Sequence, residues 1–363
     1  MPSPIDRAAP GTAAMMTGAV AWICERGYES RVRVARATHT DMKRVVVLVA
    51  LVATLGACEK RREAAAEASH GSAGAPGVTT VTQPATATAP PAAAPAPAAT
   101  AQLQHPLFWS VEKAGTTTYF LGTMHTGVDA ASQLPATVWS KLDAARAFAM
   151  EANLEDPAAG DAFRPTKASL HDALGDDYWA RLEGAIGAGP AQAIEHLPPL
   201  VPAAALSMRG LPETPPMDRV LSARAAKAHK PLVFLEPATH QLALLRKWLD
   251  LKALRMMLDE LPRGEQHARA MLAAYIAGDE RQILALSDDE RGDALRHGYT
   301  AAEYDQEMSD LLYGRNASWI AALERLHADG GGFVAVGALH LVGPRSVLDL
   351  LARRGYRVTR IAP

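Results

Sequence analysis

Phe333-Val334-Ala335-Val336-Gly337-Ala338-Leu339-His340-Leu341-Val342-Gly343 sets the fold of this chain. The apolar run reads as a buried strand, and the glycine that breaks it marks where the chain leaves a sheet. His340 follows three residues later. The same pattern stands earlier, in Tyr119-Phe120-Leu121-Gly122-Thr123-Met124-His125-Thr126-Gly127. Open sheets with parallel strands place ligands and catalytic groups just beyond strand ends of this kind. Two imidazoles brought to one sheet edge can share a metal ion or a substrate.

With 27 glycines and 12 histidines among 363 residues, about one Gly-x-x-His is expected by chance. Three occur. The third, Gly264 to His267, lies among charged residues with no strand before it and is the random one. The glycines of the other two would let the backbone turn sharply and leave room for a substrate.

Around the later motif the sequence predicts a βαβ-like unit: strand Phe333 to Val336, a helix from Pro344 to Arg354, then a strand from Tyr356 to Ile361. Pro344 suits a first helical turn, and Gly355 suits the end. Around the earlier motif, Leu107 to Lys113 and Thr117 to Gly122, separated by Ala114-Gly115-Thr116, predict a hairpin whose second strand delivers His125. A helix opens near Pro135, and the run Ala147 to Met150 ends at Glu151. Residues 168 to 210 and 239 to 325 have mostly helical periodicity, with Pro198-Pro199, Pro212 and Pro215-Pro216 as breaks. The strand Pro231 to Leu235 interrupts them and ends in Glu236. The expected fold is a mixed α/β (α+β) domain over residues 103–363. Its central sheet is built from N- and C-terminal strands and carries a large helical insertion, with the first and last strands neighbours.

Ahead of that domain the chain changes character. Met42-Lys43-Arg44, the apolar run Val45 to Leu55 and Leu55-Gly56-Ala57-Cys58 read as a signal peptide over 42–58, resembling a bacterial lipoprotein signal with Cys58 the lipidated residue. A bilayer-spanning helix needs about 20 apolar residues, more than this run has. Residues 1–41 then read as a misassigned extension ahead of the true start at Met42. Residues 59–102, dominated by Ala, Pro, Thr and Gly, read as a disordered tether. The expected location is the cell envelope, at the inner or outer membrane, with the domain facing the periplasm. A formal charge of −2 gives no electrostatic basis for a nucleic-acid partner. Two cysteines, Cys24 and Cys58, exclude a disulfide scaffold and a cysteine-based metal site.

His125 and His340 are the first candidates for chemistry, as metal ligands. Glu151 and Glu236 are carboxylates that end strands. Glu151 beside two imidazoles completes a nitrogen and oxygen set suited to Zn, Mn, Fe or Co, or serves as a base toward water. Arg315-Asn316, within the helical run Leu311 to Leu326 and near Tyr313 and Trp319, could aim donors at a developing oxyanion. The remaining histidines show no distinguishing spacing.

These residues resemble the TraB/GumN family, relatives of the animal Tiki metalloproteases. The family pattern of two Gly-x-x-His motifs, a glutamate ending the strand after the first and an arginine before the second is similar to Gly122 with His125, Glu151, Arg315, and Gly337 with His340. Leu235-Glu236 and Arg315-Asn316 are similar to the GumN branch in particular. The resemblance implies a mixed α/β domain and metal-dependent hydrolysis of a peptide or protein substrate, with manganese or cobalt as the divalent ion; the donor set itself also admits zinc. The competing expectation is a non-catalytic regulatory lipoprotein that binds a metal, haem or peptide.

Overall fold

The computed structural model describes residues 102–153 and 155–362. The extension, the signal, Cys58 and the tether up to residue 101 lie outside the described residues. Six strands form one mixed sheet: β1 (Phe108–Lys113), β2 (Thr116–Thr123), β3 (Phe148–Met150), β4 (Leu232–Phe234), β5 (Phe333–Gly337) and β6 (Arg357–Arg360), in the spatial order β4-β3-β5-β2-β1-β6. β1 and β2 make the expected hairpin with Lys113 opposite Thr116. The two-residue turn Ala114-Gly115 has both φ angles positive, at 50° and 78°, the geometry whose twist matches that of the strands it joins.

β2, β3, β4 and β5 run parallel to one another. This is the feature that makes a site. The residues following Thr123, Met150, Phe234 and Gly337 all emerge at a single edge of the sheet. β5 sits between β3 and β2, buried on both faces, and this explains its unbroken apolar run. Phe333 stacks at 6.2 Å from Phe148 on β3 and lies 5.8 Å from Phe108 on β1.

β6 pairs antiparallel with β1, so the first and last strands are neighbours as expected. The chain reaches β6 by crossing over both β2 and β1. The intervening helix spans Val347–Ala352, starting later than Pro344, because the Ser346 hydroxyl accepts the Asp349 N–H and caps it.

Two helical insertions separate the strands. The first runs between β3 and β4, the second between β4 and β5. Part of this material has its own core, in which Leu170, Leu174, Trp179, Leu182, Leu206, Leu254 and Leu258 are buried together. The helices Ala136–Ala144, Met217–Lys227 and Gly314–Ala328 instead bury Val138, Leu142, Met217, Leu221, Trp319 and Leu323 against the sheet. The last of these helices is preceded by a π-helical turn, Ser309–Tyr313, where an unbroken α-helix was expected. Gly314 permits it, since a Cβ there would lie 2.8 Å from the Ser309 carbonyl oxygen. Single π turns inside helices commonly sit at functional sites. Among the described residues no helix is long and apolar enough to cross a membrane.

Candidate functional site

Register brings the two motifs together. Gly122 is opposite Val336 and Thr123 is opposite Gly337, so His125 and His340 leave adjacent parallel strands at the same edge. The glycines serve a different purpose from the one expected. Gly337 has φ −50°, an ordinary value, and Gly122 is not among the positive-φ glycines. What they provide is closeness. A Cβ on Gly122 would lie 3.1 Å from Ala338 Cα, and one on Gly337 would lie 3.3 Å from Glu151 Oε1. The space beside Gly337 is therefore filled by the protein's own carboxylate.

Glu151, at the end of β3, accepts the Gly337 N–H on Oε1 at 2.8 Å. Its Oε2 accepts from Gln241 Nε2 at 2.8 Å and from Arg315 Nη2 at 2.7 Å. Burial pushes its carboxyl up, but the fields of His340 and Arg315 and the Gly337 N–H outweigh that and hold it well below the ordinary carboxylate range. It is ionised at neutral pH.

Glu236, at the end of β4, is buried, and its Oε1 accepts from both Nε (2.8 Å) and Nη2 (2.5 Å) of Arg315. Its other oxygen accepts from His240 Nδ1 at 3.1 Å. Arg315 thus stands between the two carboxyl groups. Its Nη1 donates to the Leu311 carbonyl at 2.8 Å and meets His340 Nε2 at 3.3 Å. All five guanidinium N–H groups have acceptors here, so Arg315 works as a hub.

His340 is buried against Trp319, with ring centroids 4.5 Å apart. Asn316 settles its tautomer. The Asn316 amide nitrogen donates to the Arg345 carbonyl at 3.0 Å, so its oxygen accepts from His340 Nδ1 at 2.6 Å. Nδ1 therefore carries the proton and Nε2 keeps its lone pair, turned toward Arg315 and, at 3.7 Å, Glu151 Oε1. Burial, with Arg315 and His125 acting in the same direction against the field of Glu151, pushes the imidazole down to about 4. At neutral pH the ring is uncharged.

His125 is held differently. Its side chain is 75% exposed, and its Nδ1 lies 3.3 Å from Asp218 Oδ2. The Asp218 carboxylate beside it raises the imidazole above the ordinary histidine value.

Every residue singled out from the sequence in the folded region is thus placed at the C-terminal edge of the parallel strands or on the helix beside it. Glu151, Glu236, Arg315, Asn316 and His340 form one hydrogen-bonded network, while His125 stands on the adjacent strand end with Asp218. The sequence did not mark Asp218 or Gln241. Asp218 lies in the first turn of its helix, where an acid ordinarily complements the helix dipole, and that hides any other purpose. Among the described residues no three His, Cys, Asp or Glu side chains stand together as a ready metal-ligand group.

The pattern of the TraB/PrgY/gumN family matches residues 107–360, from the strand before the first motif through the last strand of the sheet. The chain belongs to this family. It is also similar to the uncharacterized protein YbaP of Escherichia coli (strain K12), with 25% identity over 244 residues that cover 64% of this chain and 87% of YbaP. YbaP of Shigella flexneri matches to the same extent. No solved structure matches the chain. The family span contains all six strands, so the family's shared region is the sheet together with the edge where the histidines gather.

Proposed function

We propose that this TraB/PrgY/gumN family member is a metal-dependent hydrolase, peptidase-like in its substrate, that acts in the cell envelope. One observation supports this above the others: both motif histidines turn Nδ1 toward a protein oxygen, Asp218 Oδ2 or Asn316 Oδ1, so Nε2 is the ring nitrogen left to face the site, where that of His340 meets Arg315 Nη1 at 3.3 Å. Metal-binding histidines are ordinarily oriented in this way, by an acceptor on the ring nitrogen remote from the ion. The donor set suits manganese, cobalt or zinc, with His125 and His340 as nitrogen ligands and Glu151 as the carboxylate beside them. Such an ion supplies Lewis acidity toward a peptide or related acyl carbonyl.

The remaining work falls to the chain itself. Gln241, Gly337 and Arg315 hold Glu151 ionised and fixed in orientation. Arg315 spans Glu151 and Glu236, so it positions the acidic wall and offers its charge without a free N–H. Trp319 closes the site behind His340. The lipid anchor read at Cys58 would tie the domain to a membrane, with residues 59–102 as the tether and substrates on the periplasmic side.

A second reading, a non-catalytic protein that binds a metal, haem or peptide, is favoured by the full complement of donors around Glu151, which leaves neither oxygen of that carboxylate unpartnered to act as a base toward water. Mass-spectrometric metal analysis of the purified protein, with His125→Ala and His340→Ala variants and a peptide-library digest, separates them. The hydrolase predicts near-stoichiometric metal that both variants lose, with metal-dependent cleavage. Metal without cleavage selects the binding protein. Sub-stoichiometric metal, unchanged in both variants, removes the metal site.

A further inference from the structure

We propose that Asp218 is the positioning residue for His125. It fixes the exposed ring with Nδ1–H inward and Nε2 presented to the site, and the segment from Pro212 to Asp218 is the platform on which this arm is built. The inference starts from a mechanical problem. An imidazole that is 75% exposed has no packing to select its rotamer, and a side chain free to turn loses precision as a ligand or proton carrier.

The backbone on both sides of His125 is pinned to one segment. Thr126 Oγ1 donates to the Pro212 carbonyl at 3.0 Å, and the Gly127 N–H donates to Thr214 Oγ1 at 2.9 Å. The Met124 N–H meets Met217 Sδ at 3.3 Å. Below them, Tyr275 OH donates to the Gly122 carbonyl at 2.7 Å and lies 3.5 Å from the same Met217 sulfur. Gly127 takes φ +93°, which turns the chain onto the platform. The four neighbours of His125 in sequence, two on either side, are all tied to residues 212–218, and only its ring is left to fix.

Asp218 completes the arrangement. Thr123 Oγ1, two residues before His125, donates to Asp218 Oδ1 at 2.7 Å and locks the carboxylate plane. The other oxygen, Oδ2, is buried and has no aligned donor of its own, and His125 Nδ1 stands 3.3 Å from it. A buried carboxylate oxygen without a donor is costly, so this atom is kept for a partner that approaches it. Among the described residues, the His125 imidazole is the basic side chain within 4 Å of it. Thr123, Asp218 and His125 therefore form an oriented chain from β2 through the helix start to the site.

The role of Asp218 rests on the proposed site for its purpose, whereas the test reads the ring directly. In protein labelled with ¹⁵N-histidine, long-range couplings at alkaline pH assign the neutral tautomer of each ring. Wild-type His125 is expected as the Nδ1–H form. In Asp218→Ala it should revert to the Nε2–H form that free imidazole prefers. His340, held by Asn316, should stay Nδ1–H in both proteins and so report that the fold is intact. Asp218→Asn, which retains an acceptor oxygen, should rescue the wild-type tautomer. An Nε2–H form of His125 in the wild type, or an Nδ1–H form that persists in Asp218→Ala, would overturn the assignment.

Zinc titration of the same proteins adds a second arm. Affinity should fall about 10- to 100-fold in Asp218→Ala and recover in Asp218→Asn. Wild-type protein that binds no zinc but shows the predicted tautomer switch would end the metal reading while leaving Asp218 established. Zinc binding unaffected by either substitution would count against Asp218 alone.

Discussion

The two arms of the site present the same residue in opposite ways. His340 is packed on Trp319, hydrogen-bonded to Asn316, faced by Arg315 and Glu151, and uncharged at neutral pH. His125 is open to solvent and is held through one carboxylate, with its protonation favoured. The buried arm is preorganised by the fold, so changes there should register as stability. The exposed arm rests on a pinned loop and one oriented carboxylate, so changes there should register as function.

The largest effect is expected from Arg315→Met. Removing the hub leaves the Glu151 and Glu236 carboxyl groups buried without their shared cation, and breaking a buried ion cluster in this way costs about 3–5 kcal/mol. Chemical denaturation should report this as a lower midpoint. A loss under 1 kcal/mol would mean that the network is not structural.

Next comes the acid limb of stability. The folded value of His340 lies near 4, below the ordinary value of 6.5, so the unfolded chain takes the proton first. Stability from this group is fully present above about 6.5 and falls as pH drops toward 4, by on the order of 2–3 kcal/mol. Glu151, whose carboxyl is held low, adds a further loss below its unfolded value of about 4.5. Melting curves from pH 7.5 to 4 on wild type and His340→Gln should show the steeper loss in the wild type. His125 has the opposite sign: its folded value is raised, so its contribution is present below 6.5 and lost as pH climbs through the folded value. Solvent screening of the exposed ring keeps that term small.

Asn316→Leu strips the acceptor from a buried imidazole N–H and should cost about 1–3 kcal/mol. The same ¹⁵N-histidine spectra should show His340 losing its fixed Nδ1–H form. The smallest stability effect belongs to His125→Ala, expected within about 0.5 kcal/mol of wild type because the side chain is mostly in solvent. Metal binding at the proposed site should nevertheless be lost. A His125→Ala protein that unfolds readily would erase the distinction between the arms.

Much of the fold was legible from local pattern. The run Phe333 to Val336 is apolar at every position and ends at a glycine, which suits a strand covered on both faces, and that is where β5 lies. The hairpin, the strand before Glu236 and the pairing of first with last strand were also expected, and the sheet contains them. The helix after Pro344 was placed too early because Ser346, an ordinary polar residue in sequence, turned out to cap it. The π turn before Arg315 is marked in the sequence by Gly314 alone, and a lone glycine in a helical run does not specify one. The platform from Pro212 to Asp218 read only as a series of proline breaks, since no local rule says that a break will receive a loop from β2.

What the amino-acid order determined by itself was the set of strand ends and the reactive residues that follow them, because burial, glycine breaks and strand propensity act over a few neighbouring positions. Only the tertiary structure decided what those residues became. Parallel pairing put Thr123 opposite Gly337 and the two imidazoles at one edge, and Arg315 arrived from a distant helix to saturate Glu151 and Glu236. Hydrogen bonds between chain segments far apart in sequence then made one histidine a neutral buried base and left the other exposed beside Asp218. The physical reason is that charge state and orientation depend on the field and partners at a point in space, and residues distant along the chain supply both.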